Sequence, residues 1–67
     1  MPASVRRALT ERGVLAEYRA RPAYQQNDYL GWIARAKREA TQEKRLQQML
    51  DELAQGDVYM NMAWRAK

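Results

Sequence analysis

The 67-residue chain contains no cysteine and no histidine. Without cysteine there can be no disulfide and no thiolate metal site. Without histidine the commonest metal ligand and the commonest general base are both missing. Glycine occurs three times and proline twice, and no Gly/Ser-rich linker divides the chain. The expectation is one helical domain spanning residues 1–67, with its core at about 4–56 and a tail at 57–67, and no internal repeat. No apolar run approaches the roughly 20 residues of a membrane span. The opening residues, from Met1 to Arg7, lack the apolar stretch of a signal peptide, so the expected address is cytoplasmic.

A core of this size rarely supplies more than about 3–5 kcal/mol of net stability on its own. Well-packed helices, a partner or self-association must provide the rest. Charged residues make up 30% of the chain and hydrophobic ones 46%, a balance that suits a folded protein and not a disordered one. The net charge of +4 favours acidic partners: nucleic acid, an anionic membrane face or an acidic protein patch.

Alanine, leucine, arginine, glutamine, glutamate and lysine dominate the middle of the chain, and all favour helix. Ser4 is placed to cap a first helix carrying Val5, Ala8 and Leu9, with Gly13 as its stop. Val14, Leu15 and Tyr18 suggest a second short helix with a Glu17–Arg21 pair, interrupted by Pro22. Tyr29, Trp32, Ile33 and Ala36 form one face of a third helix, and Gly31 within it suggests close packing. Leu46, Met49, Leu50, Leu53 and Ala54 form the stripe of a fourth, closed by Gly56. On a single wheel the two stripes differ by roughly 80°, more than one straight helix could bury against one core. A break near Glu39–Thr41 is therefore expected, with Thr41 as the new cap. Val58, Met60, Met62 and Trp64 alternate, but a lone strand has nothing to pair with. An extended tail is expected, with Tyr59 or Met60 docked on the helices and Arg65 to Lys67 mobile. The fold class is thus all-α: three to four short helices and an extended C-terminal tail.

The run from Tyr29 through Trp32, Ile33, Ala36 and Lys37 to Arg38, then Thr41, Arg45 and the segment Met49 to Gly56, resembles the bacteriocin-protection, OmpD-associated family of bacterial proteins. Residues 22–56 carry most of the likeness. Gln42 stands where the family pattern usually has arginine. The resemblance implies a role in protection against bacteriocins or cationic peptides, and contact with an outer-membrane porin. It carries over no catalytic residue. A periplasmic address goes with the family, and the missing export signal argues against it here.

Arg35, Lys37, Arg38, Lys44 and Arg45 place five positive charges within residues 35–45; Glu39 and Glu43 bring the stretch to +3. With Thr41 between them, they are the candidate partner- or anion-binding residues, helped by free N–H groups at the start of the fourth helix. The competing reading is a solvated face with pairs such as Arg35–Glu39. Tyr29 and Trp32 read as core rather than as stacking residues, and Met49 as core. Trp64 and the methionines of the tail stay open between core and contact. Ser4, Thr10 and Thr41 have no histidine to activate them, and Asp51, Glu52 and Asp57 read as solvated surface. No phosphate loop or metal-ligand spacing is present. The expectation is a non-catalytic interaction module without a cofactor. Its partner would be a protein, bound through the basic edge and exposed aromatics such as Trp32, Tyr24 or the Tyr59–Trp64 tail. Nucleic-acid binding through the Arg35–Arg45 cluster is the alternative, and self-association is also open. Direct capture of a cationic bacteriocin would work against like-charge repulsion, so protection would be indirect.

Overall fold

A computed structural model describes residues 1–63, so the readings made for Trp64 and for Arg65 to Lys67 lie outside the described residues. Four helices precede a two-stranded hairpin: α1 (Ala3–Arg12), α2 (Leu15–Ala20), α3 (Ala23–Arg35), α4 (Glu39–Gln55), β1 (Val58–Tyr59) and β2 (Met62–Ala63). The fold is all-α apart from that hairpin.

Helix α1 buries Val5 and Leu9, one turn apart. Its first turn forms on the Pro2 carbonyl, which accepts the Arg6 N–H at 3.1 Å. Ser4 therefore lies inside the helix and is not its cap. Proline fits the start because its missing N–H has no role there. The other end is a Schellman turn. Gly13 takes φ of 77°, its N–H reaches Thr10 O at 3.1 Å, and the Val14 N–H reaches Leu9 O at 3.0 Å. Leu9 and Val14 join the same core cluster, so the turn is locked by burial as well as by hydrogen bonds.

Pro22 separates α2 from α3. The residue before a proline is pushed out of helical geometry, and Arg21 is extended at φ −69°, ψ 150°. Helix α3 then starts on the Pro22 carbonyl, which accepts from the N–H groups of Gln25 and Gln26. Its buried stripe is Gln25, Tyr29 and Ile33. Trp32 sits half-buried at the edge of this face, packed against the core rather than within it. Gly31 approaches no neighbouring helix. A methyl group there would meet only the Arg35 guanidinium, at 3.3 Å.

Helices α3 and α4 are separate, as the angle between their stripes requires. The break falls at Ala36–Arg38, ahead of the expected position, and Arg38 precedes the first helical residue in extended geometry. Thr41 thus lies in the first turn and does not cap it. Helix α4 buries Met49, Leu50, Glu52 and Leu53 against α1 and α3. The core is Val5, Leu9, Val14, Tyr18, Tyr29, Ile33, Met49, Leu50 and Leu53.

The tail is extended but not unpaired. It folds back on itself, with Val58 opposite Ala63 and Tyr59 opposite Met62. Met60 and Asn61 turn the chain with φ of 51° and 63°, the double positive φ of a type I′ turn. Neither is glycine, and left-handed geometry costs an ordinary residue roughly 1–2 kcal/mol. Tyr59 and Met60 pack on the helical core, as expected for docking residues.

Candidate functional site

The α3–α4 corner collects much of the basic cluster. Arg35 ends α3, and Lys37 and Arg38 follow in the connection; all three are exposed. Where α3 stops, its last carbonyls lose their helical partners. The Ala36 N–H turns back to Ile33 O at 3.3 Å, leaving the Trp32 and Ala36 carbonyls for side chains. Helix α4 supplies both donors. Arg45 Nη1 donates to Trp32 O at 2.5 Å and Gln42 Nε2 donates to Ala36 O at 3.0 Å. The Arg45 guanidinium also lies 5.3 Å from the Trp32 ring centroid, within cation–π range.

The candidate residues therefore divide. Arg35, Lys37 and Arg38 share the corner and face solvent. Thr41 is half-buried in the first turn of α4. Arg45 is half-buried and holds the end of α3. Lys44 points elsewhere: with Gln48, Asp51, Glu52 and Asn61 it lines an open cavity of about 490 Å³ between α4 and the hairpin. Adjacent helical positions diverge by about 100°, so Lys44 and Arg45 cannot serve one edge. The Arg35–Glu39 pair does not form, because the helix breaks between the two residues. Among the described residues the one ion pair is Arg12–Asp51 at 2.8 Å, on the surface.

A second polar assembly lies buried where α2, α3, α4 and the hairpin meet. Glu52 was expected on the solvated surface, yet it is only 2% exposed. One carboxylate oxygen accepts from Tyr29 Oη at 2.5 Å and from the Met60 N–H at 2.7 Å. The other accepts from the Asn61 N–H at 2.9 Å and from Gln48 Nε2 at 3.0 Å. Both positive-φ residues of the hairpin turn thus hand their N–H groups to one carboxylate, which stabilises a turn that lacks glycine.

Arg21 also turns inward, away from the expected pair with Glu17. It donates to Gln25 Oε1 at 3.1 Å, to Glu52 O at 3.2 Å and to Val58 O at 2.9 Å. The Glu52 carbonyl belongs to the last turn of α4, where the helix dipole favours a cation. Tyr59 closes the assembly, donating to Asp28 Oδ2 at 2.6 Å and meeting the rings of Tyr24 and Tyr29 edge-on, at centroid distances of 6.3 and 5.4 Å. No buried side-chain polar atom among the described residues lacks a partner. Burial first, and the Glu52 hydrogen bond second, hold the Tyr29 hydroxyl far above the ordinary tyrosine pKa. Burial and then Asp28 push Tyr59 up to about 12.

Sequence reasoning passed over Gln25 and gave Arg21, Gln42 and Glu52 other roles: a pair with Glu17, a departure from the family pattern and solvated surface. The signal for Gln25 was its spacing, since it continues the Tyr29–Ile33 stripe one turn earlier. Glu52 lies three residues after Met49 and next to Leu53, within the buried stripe of α4. Reading it by residue type instead of by position put it outside.

These features define a small four-helix domain with a cation-lined α3–α4 corner and a C-terminal hairpin latched onto its last helix. The chain belongs to the OmdA family, described as bacteriocin-protection, YdeI or OmpD-associated, whose family model matches residues 1–56. The hairpin lies beyond the matched segment. No curated protein and no solved structure matches the chain. Among the described residues, no helix is long and apolar enough to cross a membrane.

Proposed function

We propose that this OmdA-family chain is a non-catalytic, cytoplasmic interaction module that docks on an acidic patch of a protein partner through its α3–α4 corner. The observation that carries the reading is the division of labour within the cluster. Arg35, Lys37 and Arg38 stand exposed, while Arg45 is committed to the Trp32 carbonyl and ring. The half-buried Trp32 gives that corner a rigid aromatic edge, a feature common at protein interfaces. Tyr24, 58% exposed, sits at the other end of α3. Eleven residues at 1.5 Å each put it about 17 Å away, so it contributes to a different surface.

The nucleic-acid alternative is weakened by the same division. It drew on five cations, of which three share an exposed corner. Because affinity for a duplex scales with the number of phosphates neutralised, three contacts give only weak, strongly salt-dependent binding. Through this corner, protection from a bacteriocin would act by way of the acidic partner, since exposed cations there offer no attraction to a cationic toxin.

An amide-resolved NMR titration tests the reading, with polyglutamate as the acidic probe and a short DNA duplex as the comparison. Shifts at residues 32–38 with polyglutamate at low salt are expected, weakening as salt rises, as is their loss in the R35Q/K37Q/R38Q variant. Shifts with the duplex alone, fading as salt rises, would move the nucleic-acid reading ahead. No shift with either probe would reduce the corner to a solvated face and overturn the proposal.

A further inference from the structure

On the flank of α4 that faces α1, two adjoining cavities of about 230 and 280 Å³ share Ser4, Val5, Ile33 and Gln42 in their walls. Together they form one shallow groove between the start of α1, the end of α3 and the start of α4. Its floor is apolar: Val5, Leu30, Ile33 and Leu46. Leu30 and Leu46 are only partly covered, and Ala34 on the rim is exposed. The wall contributed by α4 carries Glu39 and Glu43, one turn apart and both exposed. Neither forms an ion pair among the described residues, and Glu43 accepts a hydrogen bond from Gln47 at 3.0 Å. On a chain of net charge +4, this groove is a local inversion: an apolar floor with a negative wall.

We infer that this groove binds a basic amphipathic helix of a partner polypeptide. The apolar face of such a helix would cover Leu30, Ile33 and Leu46, and lysine or arginine residues one turn apart would meet Glu39 and Glu43. The occupant is argued from charge complementarity along a helical repeat: Glu39 and Glu43 are themselves at i, i+4 spacing, which matches cations at i, i+4 on a helix lying alongside. An anionic segment would meet like charge on that wall, and an uncharged apolar segment would leave two carboxylates facing it unpaired. The long-range repulsion from the chain's net positive charge is confined at physiological salt by a Debye length of about 8 Å. Contacts inside the groove therefore decide binding once the helix has arrived. The groove borders the basic corner at Ala34 and Glu39, but the corner takes the opposite charge.

The test is an amide-resolved titration of the full chain with two synthetic leucine-based helical peptides of equal length, one carrying lysine at the polar positions and one carrying glutamate. The lysine peptide should shift the amides of Leu30, Glu43 and Leu46, which line the groove and lie outside the corner residues 32–38. The glutamate peptide should leave them in place. Replacing both carboxylates (E39Q/E43Q) should weaken the lysine peptide roughly 2–10-fold, as expected for two partly exposed ion pairs. Ala34→Arg, at an exposed position that the fold tolerates, should abolish binding by filling the rim with bulk and like charge. Equal binding of both peptides, or E39Q/E43Q affinity equal to that of the parent chain, would overturn the proposal. So would concentration-dependent shifts of the same amides in the chain alone, which would put a second copy in the groove. Because polyglutamate reads the corner and the lysine peptide reads the groove, each proposal can fail without the other.

Discussion

At the N-terminal end of α3, Arg21 and Glu52 are 5% and 2% exposed, and their polar atoms are met by carbonyls, amides and a tyrosine hydroxyl. At its C-terminal end, Arg35, Lys37 and Arg38 stand in solvent at a break in the helix. The same residue types do opposite work at the two ends. A buried ion is tolerable only when its hydrogen bonds are complete, so removing one member leaves the others unpaired in a low-dielectric site. An exposed cation has water as an alternative partner, and its loss leaves no unmet group behind. The contrast divides the molecule into an end that holds it together and an end free to recognise something else. Arg45 sits on the boundary: it belongs to the basic cluster in sequence and to the structural set in space.

The largest effect is expected from Glu52→Ala. It strips the acceptor from Tyr29, Gln48 and two hairpin amides at once, and should cost about 3 kcal/mol or more. That approaches the most a core of this size usually supplies, about 3–5 kcal/mol. Chemical denaturation should find the variant largely unfolded or with its midpoint near zero denaturant. A loss well below 1 kcal/mol would show that the hairpin latch contributes little. Tyr29→Phe sharpens the same point, because it removes one of four donors and leaves Glu52 otherwise satisfied. It should cost about 1–2 kcal/mol.

Arg45→Gln tests the boundary. Loss of its bond to the Trp32 carbonyl should destabilise the domain by about 1 kcal/mol. Arg38→Gln, seven residues earlier on the same nominal edge, should change stability by less than about 0.5 kcal/mol. Equal effects from the two would erase the distinction between them.

The tyrosines give a pH signature confined to the buried end. Tyr29 and Tyr59 both have folded-state values raised above the unfolded value of about 10. The stability they contribute is fully present below that pH and is lost as pH rises through the window from about 10 to 12. Unfolding midpoints measured across that window should fall, and the fall should be smaller in Tyr29→Phe. A flat profile would mean that the hydroxyls are not held as described.

The smallest effect concerns Gly31, whose missing side chain faces only the flexible end of Arg35. Gly31→Ala should stabilise α3 by roughly 0.5–1 kcal/mol, since helix propensity improves and a movable guanidinium is the sole neighbour. A destabilised variant would point to a close approach at Gly31 that the structure does not contain.

The helical part of this architecture was legible because it rests on periodicity and punctuation. Val5–Leu9, Tyr29–Ile33 and the Met49–Leu53 stripe are spaced for one face, and Gly13, Pro22 and Gly56 mark the ends. The mismatch between the stripes of α3 and α4 located their break to within a few residues. The exact caps were not legible, because backbone carbonyls decide them: Pro2 in place of Ser4, and Arg38 in place of Thr41. The hairpin escaped because its turn is Met60-Asn61, without the glycine that usually announces a type I′ turn. What stabilises it is Glu52, eight residues earlier on another element, and no local pattern encodes that pairing. The basic cluster was visible as composition, but sequence spacing could not show that Lys44 faces the hairpin cavity or that Arg45 bonds to a helix end. In both cases the polar residues mattered through partners distant along the chain.

The most direct measurement is the denaturation midpoint of the R35Q/K37Q/R38Q variant beside that of the parent chain. Three charges removed from an exposed corner should leave the midpoint unchanged or slightly raised, through relief of mutual repulsion, while binding to polyglutamate is lost. A fall of more than about 1 kcal/mol, beyond what exposed charges usually contribute, would contradict the account by making the corner part of what holds the fold together.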